Sequence, residues 1–292
     1  MTKIPKNFNV EEHRTLLKIG HENETTETHL KYLIRSMIIP TSKQLCISDF
    51  SQIEARVIAW LAGETWRIEA FKENKDVYVE SYNKMFNTNI TKDDPERETG
   101  KTAELALGYG GGVNAILRFT DKFKENEAEK LKNNWRQANE KIVAFWKNCE
   151  LCFKYALLLP HKEFKLQYLT FYYDRVFLTI ELPHGRKLYY FRPENMGGLR
   201  YKQWGTIKFE NIYTYSGKIA ENITQAIARC LLFEKMQKLS NYDIIMHVHD
   251  EIVIDNADVE IERKVHEVMG SESIFCPGLP LAAGTKLVDY YT

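Results

Sequence analysis

Two acidic positions that lie far apart in the chain carry the chemistry its side chains can do. Asp49 sits in Ile47-Ser-Asp-Phe-Ser-Gln-Ile-Glu-Ala-Arg56, where a short apolar run meets an acid and turns into a helix. Asp250 sits in Ile244-Ile-Met-His-Val-His-Asp-Glu-Ile-Val-Ile254, where His249-Asp-Glu251 interrupts two apolar runs as the tip of a hairpin does. Side chains alternate along Leu45-Cys-Ile-Ser-Asp49, so Leu45 and Ile47 share a face with Asp49. A carboxylate at the rim of a burying strand is costly unless it is solvated, paired or metal-bound. A hard cation such as Mg²⁺ takes carboxylate oxygens together with substrate phosphates, so a divalent metal site is the chemistry expected of this pair. Two other uses stay open: Asp49 as a helix cap, and His247, His249 and Asp250 as ligands of a transition metal.

A third stretch, Asp94-Pro-Glu-Arg-Glu-Thr-Gly-Lys-Thr-Ala-Glu-Leu-Ala-Leu-Gly-Tyr-Gly110, opens with an N-cap residue and a first-turn proline and closes at Gly108. Arg97, Lys101, Leu105 and Tyr109 recur every fourth residue and fall along one stripe of that helix. Two cations followed by an apolar and an aromatic residue match a nucleotide, phosphates at one end and base at the other. Gly100-Lys-Thr102 imitates the end of a phosphate-binding P-loop, but Pro95 stands where that loop needs glycine and no strand precedes it. Cys149-Glu-Leu-Cys152 has zinc-ligand spacing without a second pair, so these are core thiols.

The elements that must position these residues follow from hydrophobic periodicity. Asn9, Glu12 and Gly20 mark a short first helix, followed by a linker over residues 22–28. Leu30, Leu33, Ile34 and Met37 then recur at helical spacing in a supporting helix that ends before Pro40. After Asp49 a helix runs from Ser51 to about Ala62, and Ser51-Gln-Ile-Glu54 reads as a capping box. Residues 66–148 read as mostly helical, with Ile68 to Phe86 and Ala128 to Asn148 the longest amphipathic stretches, and Gly110-Gly-Gly112 as a hinge or a permissive loop. Alternating runs over 164–209 predict a small sheet or hairpin with a turn at Pro183-His-Gly185. Lys218 to Leu239 is an amphipathic helix that buries Ile219, Ile223, Ile227, Leu231 and Met236 and turns Gln225 and Arg229 elsewhere. A helix near Val259 to Met269 and a strand near Leu281 to Tyr290 close the chain.

A chain of 292 residues can bury one large core or two modest ones. Five irregularly spaced cysteines, no apolar run near the roughly 18 residues of a membrane span and no secretory pattern make a cytoplasmic protein without a membrane partner the expectation. Zero formal net charge is unusual for a nucleic-acid binder. The charge is unevenly placed, however. Between His184 and Lys208, Arg186, Lys187, Arg192, Arg200, Lys202 and Lys208 face a lone acid, Glu194, and alternate with Tyr189, Tyr190, Phe191, Tyr201 and Trp204. Such a surface suits a template strand; a solvated hairpin with its rings turned into the core is the equal alternative.

The three motif stretches resemble motifs A, B and C of the family A DNA polymerases, the group of bacterial DNA polymerase I and many phage replicases. Asp49-Phe-Ser-Gln-Ile-Glu-Ala-Arg56 matches the first, Arg97-x3-Lys101-x7-Tyr109-Gly110 the second and His249-Asp-Glu251 the third, in the family's order, and the likeness covers roughly residues 30–292. Gly100-Lys-Thr-Ala-Glu-Leu-Ala-Leu-Gly-Tyr109 and Gln225-Ala-Ile-Ala-Arg229 are most similar to phage-type members. The resemblance implies an α+β fold: a palm of antiparallel sheet backed by helices, with a mainly helical fingers domain inserted. Its implied divisions are a polar N-terminal segment (1–28), palm (29–66), fingers with associated hairpins (67–209) and palm again (210–292). It implies that Asp49, the Phe50 backbone carbonyl and Asp250 hold two Mg²⁺ ions, and that Asp49, Asp250, Glu251 and Lys101 are catalytic. Arg97, Lys101, Leu105, Tyr109, Glu54 and Gln52 would bind the dNTP, with Glu54 limiting room beside the sugar 2′ carbon; Gln225, Arg229, His249 and Gly110 would contact primer-template DNA. Leu105 departs from the aromatic residue frequent at its position, and Glu221 from asparagine at its own.

The activity so implied is template-directed DNA synthesis. Only 48 residues precede Asp49, where the family carries a thumb and often an exonuclease, so the chain is expected to grip DNA weakly and to be a fragment, a compact variant or one half of a split enzyme with a separate thumb, exonuclease or processivity polypeptide. The alternatives are another nucleotidyl transferase, RNA-synthesising or template-independent, and a non-catalytic nucleic-acid-binding module.

Overall fold

Strand β1 (Gln44–Phe50) lies at the centre of the sheet that carries both acids. In this computed structural model, which describes residues 9–12, 15, 30 and 33–292, β1 pairs antiparallel with β9 (Glu251–Ala257) on one side and β10 (Ala283–Val288) on the other. With β8 (Ile244–Val248) beside β9 the sheet order is β10-β1-β9-β8. The alternation in β1 is realised: Leu45 and Ile47 bury with Val253 and Tyr291 on one face. On the other face Ser48 Oγ meets Thr285 Oγ1 at 2.9 Å, and His266 of the Val259–Gly270 helix reaches the same hydroxyl at 3.3 Å. Asp258 caps that helix by accepting from the Glu260 and Ile261 amides, each at 3.1 Å. Its far end is held by the buried Lys235 ammonium, which donates to the Ser271 carbonyl at 2.6 Å. The sheet and this helix belong to one compact unit, made of residues up to Ser51, Leu231–Ser271 and Leu281–Thr292.

The second compact unit comprises Gln52–Cys230 and Glu272–Pro280. Its helices span Ile53–Ala62, Thr65–Lys72, Val77–Phe86, Glu96–Leu107, Val113–Phe119, Glu125–Ala138 and Glu140–Leu158. The two long amphipathic stretches expected from periodicity are each broken. Asp76 starts a new helix by accepting from the Tyr78 and Val79 amides, at 3.0 and 3.4 Å, and buried Asn139 breaks the other, its Oδ1 accepting from Arg67 Nε at 2.6 Å. The alternating region is larger than a hairpin: β2 (Phe164–Leu166), β3 (Leu169–Tyr173), β4 (Phe177–Glu181), β5 (Lys187–Asn195), β6 (Leu199–Trp204) and β7 (Phe209–Tyr213) form a six-stranded antiparallel meander in chain order. Gly185, at φ +75°, makes the β4–β5 turn. The Ser216–Lys238 helix follows.

The Glu12 amide donates to Asn9 Oδ1 at 3.1 Å, the cap expected there, while Gly20 and the 22–28 linker lie outside the described residues. Of the stripe assigned to the next helix only Leu33 is buried; Leu30, Ile34 and Met37 are exposed. All five cysteines are free thiols, and Cys149 is buried, which pushes its pKa well up. Among the described residues no helix is long and apolar enough to cross a membrane.

Candidate active-site residues

Asp49 stands opposite Glu251 in the β1–β9 register, and the Phe50 amide donates to the Asp250 carbonyl at 3.2 Å. The register therefore brings the two aspartates to the same rim of one sheet. Asp250 shares a two-residue turn with His249, because Val248 pairs directly with Glu251. His249 opens that turn in the left-handed region, at φ +55°. Glu251 differs from its neighbours: its carboxylate is buried and accepts from the Tyr291 hydroxyl at 2.6 Å. Burial, then that bond and the Glu251 charge, push the Tyr291 pKa far up; Asp49 adds in the same direction and Arg35 opposes it.

Two partly exposed aspartates at a sheet rim offer hard oxygen donors and leave room for water and phosphate ligands, which fits a divalent cation of the magnesium type. The transition-metal alternative fits less well. His247 packs edge-on against Phe233, with ring centroids 5.4 Å apart, while His249 belongs to the turn rather than to the strand. Among the described residues no three His, Cys, Asp or Glu side chains gather as metal ligands.

The cationic helix spans Glu96–Leu107. Asp94 does not cap it; its carboxylate accepts instead from the Thr91 amide at 2.6 Å. Arg97 donates to Asp76 Oδ2 through Nε at 2.9 Å and forms an ion pair there at 2.8 Å, with its guanidinium 5.3 Å from the Tyr78 ring centre. Asp76 thus caps one helix with one oxygen and holds Arg97 with the other. Lys101 lies 3.3 Å from Glu98 in a solvent-exposed pair, and Leu105 is 52% exposed. Tyr109 lies just past the helix end, where its hydroxyl donates to Glu54 Oε2 at 2.9 Å. Burial, then the Glu54 charge and hydrogen bond, raise the Tyr109 pKa well above 10.0, against a lowering contribution from the Thr224 hydroxyl.

That contact corrects the capping-box reading of Ser51-Gln-Ile-Glu54. The helix begins at Ile53, with Gln52 as N-cap at φ +55° and no side-chain cap bond. Glu54 instead accepts from Tyr109 and, at 3.3 Å, from Gln225 Nε2. Gly110, at φ +79°, sits where an added Cβ would come 3.5 Å from the Gly217 Cα. Gln225 and Arg229 line a cleft together with Arg186 and Lys202. Other cations of the basic segment are spent on neighbours, Lys187 on Glu181 at 3.1 Å and Arg200 on Glu194 at 2.7 Å.

Sequence reasoning missed the residues that hold the cationic helix. Glu104 is reached by both Arg67 guanidinium nitrogens, at 2.7 and 2.6 Å, by Ser81 Oγ at 2.6 Å and by Trp135 Nε1 at 2.9 Å. The local sign of this buried pair is slight: Arg67 stands between Trp66 and Ile68. Gly100, the false P-loop glycine, is small for a different reason: a Cβ there would lie 2.1 Å from the Tyr78 carbonyl oxygen, so only glycine lets the two helices cross so closely.

Residues 16–155 match the family model described as DNA polymerase family A. The chain is also 40% identical to a DNA polymerase of Bacillus phage SP02 in an alignment covering 95% of this chain. The chain is thus similar to DNA polymerase family A. It is 25% identical to a thermostable DNA polymerase I of Thermus filiformis, over 85% of this chain and 27% of that protein. The same fold occurs in the POL domain of Pol1 from M. smegmatis, solved in complex with DNA primer-template and dNTP; the TM-score is 0.62 at 17% identity, over 88% of this chain and 42% of that one. The chain spans about half the length of its phage SP02 relative, 47%. Family A polymerases generally use divalent metals.

Proposed function

We propose that this chain is the polymerising part of a template-directed DNA polymerase that joins a deoxynucleoside triphosphate to a primer 3′-hydroxyl and releases pyrophosphate. The four-stranded sheet is its palm, and the helices after residue 66 are its fingers. The observation that carries the reading is the β1–β9 register, which places Asp49 beside Glu251 and links Phe50 to Asp250 at 3.2 Å. Two Mg²⁺ ions held by Asp49, Asp250 and the Phe50 carbonyl would supply Lewis acidity toward the hydroxyl and the phosphates.

The chain's own side chains do the rest. Arg97 exchanges Asp76 for the triphosphate, a charge-assisted contact of the same kind. Lys101 binds the phosphates and donates a proton to the leaving pyrophosphate. Tyr109, fixed by Glu54, presents its ring to the sugar or the templating base, beside Leu105 and Gln52. Glu54, held from two sides, limits space at the 2′ position. Gln225, Arg229, Gly110 and His249 contact the primer-template, and Glu251 holds the metal-bearing hairpin in register through Tyr291.

The test is incorporation of labelled deoxynucleotides on a primer-template with Mg²⁺, with ribonucleotides and template-free reactions alongside. Template-dependent extension that chelation abolishes is expected. Absence of Mg²⁺-dependent synthesis by the parent, with DNA binding retained, would replace this reading by a non-catalytic binding module.

A further inference from the structure

The Glu140–Leu158 helix is apolar on two sides. One side packs inward through Ile142, Phe145, Trp146, Cys149, Phe153 and Ala156. The other meets water: Leu151 is 45% exposed, Tyr155 49% and Leu158 72%, and Ala144 is exposed one turn further back from each. At roughly 3.6 residues per turn these four, with the exposed Glu140 and Lys147, fall within a sector of about 80°, and Ala144 to Leu158 spans about 21 Å. Just past the helix end the Lys162 amide donates to the Leu159 carbonyl at 3.3 Å, and that turn carries the exposed Lys162 side chain. The outer face of a solvated helix is ordinarily polar, so an apolar stripe along it marks contact with another chain.

The stripe is balanced about Leu151. Ala144 and Leu158 stand seven residues to either side of it, Lys147 and Tyr155 four, Glu140 and Lys162 eleven. Each pair is complementary: a small side chain with a bulky one, a cation with a ring, an acid with a base. Lys154, on the flank, is already held by Glu150 at 2.5 Å, whereas among the described residues Glu140, Lys147 and Lys162 form no ion pair. A two-fold contact brings position i of one copy onto j of the other and j onto i. Two such helices laid antiparallel across an axis at Leu151 would therefore seat Leu158 over Ala144, Lys147 on the Tyr155 ring and Glu140 against Lys162, each of them twice. A parallel arrangement would set Glu140 on Glu140 and Lys162 on Lys162, so the charges select the antiparallel one.

We propose that this face is the interface of an antiparallel homodimer, in which the stripe is covered by the same helix of a second copy across a two-fold axis at Leu151. The inference goes beyond the polymerase reading and uses none of the residues assigned to metal, nucleotide or primer-template.

The experiment is sedimentation equilibrium of the full chain over a series of concentrations, without DNA or nucleotide, so that its outcome is separate from whether the chain synthesises DNA. The parent is expected to dimerise reversibly. Leu151→Glu sets two carboxylates face to face in an apolar contact and is expected to weaken the dimer at least about tenfold. Glu140→Lys and Lys162→Glu each place like charges opposite one another twice, and each is expected to weaken it at least about fivefold. Mixed in equal amounts, these two variants regain both acid–base contacts, and the mixture is expected to form heterodimers about as tightly as the parent dimerises. Recovery on mixing requires each copy to offer its residue 140 to residue 162 of the other. If Leu151→Glu does not fold, the two surface charge changes carry the test alone. A parent that stays monomeric, a dimer that none of the variants weakens, or a mixture no tighter than its components overturns the proposal.

Discussion

Asp250 is half of a two-residue turn, so its side chain does little for the fold, and its charge can be removed without moving the strands on either side. Asp250→Asn should therefore leave circular dichroism and the urea midpoint near those of the parent. Incorporation should fall at least about a hundredfold, the order expected when a preorganised charge-stabilising group is lost. Full synthesis by Asp250→Asn, or by Asp49→Asn, removes that aspartate from the proposed metal site. Glu54 makes a second prediction at this scale. Its charge is one cause of the raised Tyr109 pKa, so Glu54→Gln should bring the tyrosinate absorbance transition down in pH toward 10.0 without reaching it, because burial remains. The role of Glu54 itself was only half legible. Its spacing from Ser51 imitates a capping box, and nothing local shows that a tyrosine 55 residues away takes the carboxylate instead.

At the scale of elements, the cationic helix depends on two features with no catalytic signature. Gly100→Ala puts a Cβ 2.1 Å from the Tyr78 carbonyl oxygen, a backbone atom that cannot swing aside. The Glu96–Leu107 and Val77–Phe86 helices must then part, at a cost of about 1–3 kcal/mol by the measure of overpacked cores, seen as a lowered urea midpoint. Glu104→Gln leaves Arg67 buried with a neutral partner. Breaking a buried pair costs about 3–5 kcal/mol, and the displaced helix should raise the KM for dNTP more than for primer-template. The Arg67→Met, Glu104→Leu double variant should recover much of the stability and little of the KM. Recovery of both would make the pair a matter of stability alone. Helix periods were visible in the sequence, but the breaks at Asp76 and Asn139 were not, because each is made by a side chain bonding out of register with the apolar pattern.

For the molecule as a whole, stability should decline in alkali. Burial, and then the charge of Glu262, push the Cys46 thiol from 9.0 to about 12. The Tyr109 and Tyr291 hydroxyls are also raised above 10.0. The native state keeps these protons at pH values where the unfolded chain has released them. Their contribution is thus complete below about pH 9 and shrinks as pH climbs toward 12, by up to about 1.4 kcal/mol per unit for each group. Urea midpoints on either side of pH 9.0 should show the decline, and Cys46→Ala should flatten its early part. A midpoint that rises with pH contradicts the assignment.

The sequence by itself determined the β1 face pattern, the four-residue stripe of the cationic helix and the three ordered motifs, and with them the likeness to family A polymerases. Each of these is written in short-range periodicity or local residue identity, which survives without knowledge of the fold. Tertiary structure alone decided that Glu54 belongs to Tyr109 and Gln225, that Asp76 holds Arg97, that Arg67 and Glu104 anchor the helix and that rings and cations from β5, β6 and a later helix share one cleft. Those pairings join positions from 21 to 171 residues apart. Hydrogen bonds and ion pairs act over a few ångströms whatever the sequence separation, so only the folded path of the chain can say which side chains meet.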